Sequence, residues 1–348
     1  MKYAAALAFT ISLYAQVPDF NVQTRLVLVP ATVTDGKGQP VDGLGFEDFL
    51  VLDNGRPQRV VVDTIATGVA PLALMVAVQS SGISTVVLEK VRKVSAMVQP
   101  LITGDRGCAG LISFAEKVRV LQDCTRDPDA FERAFFQLKP GDEKSACMLD
   151  AVEEAINRLR QRPNTRRVLL LISETRDRGS KPDLEQILVN AQAAGITVYS
   201  ATYSAFKTAF TSKSSATGAP RAPKVAVKPS DQTGNVTGAQ PNRTQPSLPN
   251  ADQRVDFLGL MKELSRMGQT NTTQALAAAT GGITFPFTRQ KGLEAALEKL
   301  GVEMNSQYLL SFTPESPVEG YHHIEVQVKD SSREAHVRAR PGYWPQSQ

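Results

Sequence analysis

The chain is poor in the residues that most enzyme and metal chemistry relies on. Its 348 residues include three histidines, three cysteines and one tryptophan. The histidines, His322, His323 and His336, all lie near the C-terminal end, so a Ser/His hydrolase would have to draw one across the fold. The G-x-S-x-G elbow such an enzyme uses is also missing. His322 and His323 are adjacent and point to opposite faces of a strand, so they cannot chelate one metal together; one exposed and one partly buried ring is the expectation. There is no P-loop, no G-x-G-x-x-G and no H-E-x-x-H. The odd set Cys108, Cys124 and Cys147 has neither metal spacing nor a C-x-x-C motif. Two readings of it stand. One is a single disulfide, for which Cys108 and Cys124 are the pair on or beside neighbouring strands. The other is three buried thiols acting as small apolar residues. Net charge is scarce as well: +4 over this length leaves no nucleic-acid footprint. No segment after the N-terminus has the roughly 20 unbroken apolar residues of a membrane-spanning helix. What remains, 42% hydrophobic and 21% charged, is the composition of an ordinary globular chain of one or two domains.

The first residues, MKYAAALAFTISLYAQ, join a positive n-region at Lys2 to a short apolar core, Ala4–Leu13, and a cleavage site after Ala15. That signature predicts a signal peptide over 1–15 and a mature protein exported to the periplasm or beyond, the alternative being a buried first strand or helix. Residues 16–68 read as β-rich. Leu26–Val33 is a Val/Leu-dense strand, Phe46–Leu52 a second one, and Asp53-Asn54-Gly55 a hairpin turn returning through Arg56–Thr64. No helix of any length fits there.

From Pro71 the rhythm changes to strand–helix alternation. Strands are expected at Leu72–Val78, Gly110–Phe114, Val118–Leu121, Arg167–Ser173 and Ile196–Ala201. Helices are expected at Thr85–Val98, Asp129–Leu138, Met148–Arg160 and Asp183–Ala194. This order implies a parallel sheet covered on both faces. Residues 207–253 have almost no large apolar side chain, and their composition predicts disorder. Helices at Phe257–Met267 and Thr273–Ala279 follow, the second stopped by Gly281-Gly282, then a short strand at Ile283–Pro286 and a helix at Gly292–Ser306. Residues 307–348 return to alternating strands, at Gln307–Thr313, Tyr321–Val328 and Glu334–Arg340. Each β-rich end supplies only about three strands, the minimum for independent stability. The expectation is therefore one sandwich made from both ends, with an α/β domain over 69–306 inserted between them.

The most informative stretch is Pro71–Ser84, PLALMVAVQSSGIS. A continuous apolar run drops into a Ser/Gly loop ahead of a helix, which reads as a buried parallel strand. In open α/β sheets the loop at the carboxyl end of such a strand is where ligands bind. The alternative for the loop is structural, with Ser80 and Ser81 capping the helix that begins nearby.

This stretch resembles the opening of a von Willebrand factor A (VWA) domain. Further blocks, in order, resemble VWA-related proteins of the acidobacterial secreted type. They are Asp48-Phe49-Leu50-Val51-Leu52-Asp53-Asn54-Gly55, Asp105-Arg106, the Leu121–Asp127 stretch, Leu170–Ser173, Ala279-Thr280-Gly281-Gly282, Gln307-Tyr308-Leu309-Leu310 and Arg340-Pro341-Gly342-Tyr343-Trp344. The resemblance implies a doubly wound, mostly parallel α/β sheet and a cation site built from two Ser and an Asp of the first loop, a Thr of the second and an Asp of the third. Here those positions carry Ser81, Ile83, Gln79, Ala146 and Glu174. Only Ser81 is intact, and Glu174 is a longer substitute, so the site is expected to be degenerate and no cofactor is expected. The alternative is a rearranged Mg²⁺ site, with Ser84, Ser145, Glu174 or Asp177 shifted inward.

The function these readings imply is non-enzymatic: adhesion or protein–protein interaction at the cell envelope or outside the cell. The partner is a protein, bound through loops that include Gln79, Ser80, Ser81, Ser84, Ser145, Glu174 and Asp177. Cation-dependent adhesion through a rearranged site is one alternative. A scaffold for envelope assembly, docking through 207–253, is the other.

Overall fold

The computed structural model describes residues 26–64, 71–82, 88, 91–92, 95–96, 107–141, 144–163, 165–203, 257–287, 290–314, 320–329 and 335–344. The expected signal peptide and the 207–253 insert lie outside the described residues, as does most of the Thr85–Val98 helix. Within that helix Leu88, Val91, Arg92, Ser95 and Ala96 are helical.

The chain opens with β1 (Val27–Thr34), a one-turn 3₁₀ helix at Phe46–Asp48, β2 (Phe49–Asp53), β3 (Arg56–Gln58) and β4 (Val61–Thr64). Asn54 and Gly55 both take positive φ, 49° and 76°, the conformation a two-residue hairpin turn needs and Asn-Gly tolerates. The single return strand expected at Arg56–Thr64 is in fact two. β3 stays on β2, whereas β4 joins a different sheet, against a C-terminal strand. The chain switches sheets at this corner, as strands of a sandwich do. Pro57, which cannot donate to a ladder, is accommodated because β3 is an edge strand.

The middle of the chain supplies β5 (Leu72–Gln79), β6 (Gly107–Phe114), β7 (Val118–Thr125), α1 (Pro128–Phe136), α2 (Met148–Arg160), β8 (Arg166–Ser173), α3 (Leu184–Ala193) and β9 (Ile196–Thr202). Then come α4 (Phe257–Thr270), α5 (Thr272–Thr280), β10 (Thr284–Pro286) and α6 (Gln290–Ser306). Six strands form one sheet in the order β10-β9-β8-β5-β6-β7. All pairs are parallel except β6 with β7. Every residue of β5 is buried, and the two-residue period of a strand divides it between two cores. Leu72, Leu74, Val76 and Val78 face Phe131, Phe135, Leu297 and Met304. Ala73, Met75 and Ala77 face Val152, Ile156, Leu188 and Leu276. Helices on both faces explain why the strand reads as an unbroken apolar run. Among the described residues no helix is long and apolar enough to cross a membrane.

β7 closes one edge and runs four residues further than the short strand expected from sequence. Cys124, on this strand, is bonded to Cys108 on β6, with Cα atoms 5.2 Å apart, and Cys147 is a buried free thiol. The bridge closes a loop across 16 residues. Replacing both cysteines by serine is expected to lower stability by about 3 kcal/mol, chiefly by freeing the unfolded chain. Urea titration of the double variant checks this, together with hydrogen exchange of the β7 amides, which should lose protection first.

The C-terminal strands are β11 (Tyr308–Phe312), β12 (His322–Val328), β13 (His336–Ala339) and β14 (Gly342–Tyr343). They interleave with the N-terminal ones in two four-stranded antiparallel sheets, β13-β1-β11-β4 and β14-β12-β2-β3. Val29 pairs with Leu310 and Val51 with Val326. Val27, Val29, Phe49, Val51, Leu310, Phe312 and Ile324 form the core between the sheets. The two ends of the chain thus build one sandwich, as expected.

Two junctions in this part are polar. The buried Nδ1 of His322 lies 2.8 Å from Asp53 Oδ1, and the Tyr343 hydroxyl donates to Asp53 Oδ2 at 3.0 Å. Burial first, and then the Asp53 carboxylate, push the Tyr343 phenol up. His322 is buried rather than partly buried as expected, because Asp53 and Tyr343 supply polar partners inside the sandwich; His323 is half-buried. The second junction ties the sandwich to the α/β layer. Glu303 on α6 accepts from Thr32 on β1 at 2.6 Å and from Arg338 on β13, which also donates to the Gly281 carbonyl at 2.6 Å.

Candidate functional site

The strand order puts a topological switch point between β5 and β8, since the chain continues from β5 to β6 on one side and reaches β8 on the other. Loops at the carboxyl ends of two such strands diverge and leave a crevice. Gln79 ends β5 and Glu174 follows β8 directly, so the residues singled out from sequence meet there.

Gln79 is fully buried. Its Oε1 accepts from the Glu174 backbone N–H at 3.0 Å, and its Nε2 donates to the Ser81 carbonyl at 3.1 Å. A backbone N–H can only donate and a carbonyl can only accept, so the amide orientation is fixed from both ends. The same Nε2 lies 3.5 Å from Ser81 Oγ and 3.4 Å from Glu174 Oε2. Arg178 completes the arrangement, its guanidinium 2.5 Å from Glu174 Oε2. Arg178 also exchanges backbone hydrogen bonds with Ala146, which joins the second and third loops. This partly exposed ion pair adds about 1 kcal/mol or less to stability. Its consequence is electrical, because the carboxylate charge is already neutralised from within the chain.

The other expected residues are placed as follows. Ser81 is buried, bridged to Gly141, while Ser80 donates its hydroxyl to the Phe114 carbonyl at 3.2 Å. Ala146 is wholly buried in the core beneath α2. Ser145 sits beside Gly179. Asp177 does not face Glu174. Its Oδ1 accepts from the Leu149 N–H at 3.1 Å and from the Ser180 hydroxyl at 2.5 Å. It therefore caps the start of α2, where Cys147 provides no side-chain cap. Ile83, Ser84 and the start of the helix that Ser80 and Ser81 were expected to cap lie outside the described residues.

Two further groups shape the electrostatics. Burial, then the nearby Glu174 charge, push the Tyr203 phenol up, with Arg178 opposing. Burial, then Asp150, Asp177 and Glu116, push the Cys147 thiol up, the opposite of the shift that activates a thiol. Among the described residues no three His, Cys, Asp or Glu side chains gather where a metal could be held. The described residues at the crevice do not fit Mg²⁺, which wants near-octahedral oxygen ligands. Gln79 points N–H donors at the Ser81 and Glu174 oxygens, Ala146 offers a methyl group, and Arg178 already occupies Glu174. Arg178 is the residue the sequence reading missed. Its only signal is opposite charge four residues after Glu174, a spacing that means little outside a helix.

The family model for the von Willebrand factor type A domain matches residues 76–176, from within β5 to the third loop. A comparison with curated protein sequences finds no match. Among solved structures, the conserved hypothetical protein BatB from Bacteroides thetaiotaomicron is 14% identical, covering 66% of this chain and 98% of that one, with a TM-score of 0.39. An aerotolerance-related membrane protein from Bacteroides fragilis is 14% identical over 66% of this chain and 99% of that one, with a TM-score of 0.38. Proximal thread matrix protein 1 from the mussel byssus, with a zinc-occupied MIDAS motif, is 12% identical over 73% of this chain and 50% of that one, with a TM-score of 0.44.

Proposed function

We propose that this chain, which carries a von Willebrand factor type A domain over residues 76–176, is an exported, non-enzymatic module for protein–protein interaction that works without a divalent cation. One observation carries the reading. The Gln79 amide nitrogen and the Arg178 guanidinium sit on the oxygens that a cation would draw together. The first and third loops are therefore cross-linked by side chains rather than by a metal. Recognition then rests on shape, hydrogen bonds and fixed charge at the carboxyl ends of the strands, over the loops 79–84, 141–147 and 174–180. Export is supported by Lys2, the Ala4–Leu13 core and Ala15, and by the Cys108–Cys124 bridge, since disulfides persist in oxidising compartments.

Calorimetry and thermal shift with Mg²⁺ and Mn²⁺ test the cation-free reading. No heat and no change in Tm are expected at about millimolar cation, where a specific site would stabilise the fold by mass action. Installing Gln79→Asp, Ile83→Ser, Ala146→Thr and Glu174→Asp together is expected to create binding. Micromolar Mg²⁺ binding by the unaltered protein, abolished by Glu174→Ala, would overturn the reading in favour of a rearranged site.

A further inference from the structure

The crevice between Gln79 and Glu174 is satisfied by its own side chains, so charge able to select a partner has to lie elsewhere on the same end of the sheet. A cleft of about 200 Å³ opens beside it, lined by Ser80, Ser113, Glu116, Lys117, Arg119 and Lys139 among others. One wall is the β6–β7 hairpin. The two-residue period puts Arg119 and Leu121 on one face of β7, Lys117 lies in the turn just before it, and Arg119 stands opposite Ser113 in the ladder. The other wall is the segment after α1 that carries Lys139 to Gly141.

Both walls are held by backbone bonds. Gly141 donates to the Ser80 carbonyl at 2.9 Å, Ser80 to Phe114 at 2.8 Å and Ala115 to Lys117 at 3.2 Å. The cleft is therefore formed before any partner arrives, which lowers the cost of ordering it on binding. Among the described residues, three cations line it against one carboxylate, Glu116. Lys117, Arg119 and Lys139 are exposed, and among the described residues none has a carboxylate at ion-pair distance.

We propose that this cleft is the subsite that takes an acidic side chain, Asp or Glu, of the protein partner. The inference rests on the interaction reading above and names the partner's chemistry. Its volume is below that of pockets for drug-sized ligands, roughly 300–1,000 Å³, and suits one side chain. Phosphate sites draw on free backbone N–H groups, whereas those of Ser80, Ala115 and Gly141 are consumed by carbonyls. Long cationic side chains are the donors left, and a carboxylate meets them.

Fluorescence anisotropy with a labelled hexaglutamate peptide tests the proposal, with labelled hexalysine and inorganic phosphate as further arms. Hexaglutamate is expected to bind, to weaken as salt is raised, and to lose about tenfold or more in affinity in Lys117→Glu/Arg119→Glu. Unchanged Tm in that variant shows that the fold is intact. Carbodiimide coupling of hexaglutamate to the unaltered protein, mapped by mass spectrometry, is expected to mark Lys117 and Lys139 and does not depend on any variant folding. No binding of hexaglutamate, equal affinity in the variant, displacement by phosphate at equal concentration, or coupling only at other lysines would each overturn it. None of those results bears on the Mg²⁺ titrations, so the subsite can fail while the cation-free reading stands.

Discussion

Replacing Asp53 by alanine is expected to cost about 3 kcal/mol of stability, because two buried partners would lose their shared acceptor. His322 and Tyr343 reach Asp53 from separate C-terminal strands, at 2.8 and 3.0 Å, and Asp53 itself is 6% exposed. With the carboxylate gone, water cannot readily replace it between two sheets. Asp53→Asn keeps an oxygen for the Tyr343 hydroxyl and is expected to lose less. Urea unfolding followed by circular dichroism measures both. A loss in Asp53→Ala no larger than in a substitution at an exposed position, roughly 0.5 kcal/mol, would show that the cluster does not hold the sandwich together.

Gly282→Ala is the second large effect. A Cβ at Gly282 would lie 1.9 Å from the Val198 carbonyl oxygen, which belongs to a central sheet strand and cannot swing aside. Its neighbour Gly281 ends α5 with φ 77°, and a Cβ there would meet the Arg340 backbone nitrogen at 2.6 Å. The pair thus serves two close approaches, one to β9 and one to the chain leaving β13. Relief of the Gly282 contact requires α5 to lift from β9, so a loss of about 3 kcal/mol is expected. Thermal unfolding should show a fall in Tm of several degrees or more. A variant with wild-type Tm would mean that this approach is not close in solution.

The layout of the fold was legible because its signals are local. The unbroken run Leu72–Val78 could only be a strand covered on both faces, and Asn54-Gly55 could only be a tight turn. The joint sandwich followed from each end having too few strands to stand alone. The break between β3 and β4 was not legible, because nothing in Arg56–Thr64 marks a change of sheet; that is decided by which partner each half finds.

The crevice was half legible. Gln79, Ala146 and Glu174 could be seen to depart from the pattern that the resemblance implies, but the contact of Arg178 with Glu174 could not, since it depends on Arg178 folding back from a loop. The same limit hid Asp177 as a helix cap and His322 as a buried partner of Asp53. The sequence blocks that carried the family resemblance prove to be joints. Asp53 meets Tyr343, Thr280 accepts from the Val198 N–H at 2.9 Å, and the Tyr308 hydroxyl donates to the Val41 carbonyl at 2.7 Å.

The pairing of Val29 with Leu310 and of Val51 with Val326 has a consequence for the order of folding. β5, β6, β8 and β9 find their neighbours among nearby segments and can assemble once the middle of the chain exists. β1 cannot, because both its partners, β11 and β13, lie far along the chain, and β2 has only its hairpin partner β3 until β12 is made. Until those strands arrive, Val27, Val29, Phe49 and Val51 have no opposing sheet, and the open strand edges can pair with another chain. Contacts between segments so far apart in sequence form slowly. The sandwich should therefore close in a late phase, after the α/β core, and crowding of half-made chains should harm this protein more than it would harm the core alone.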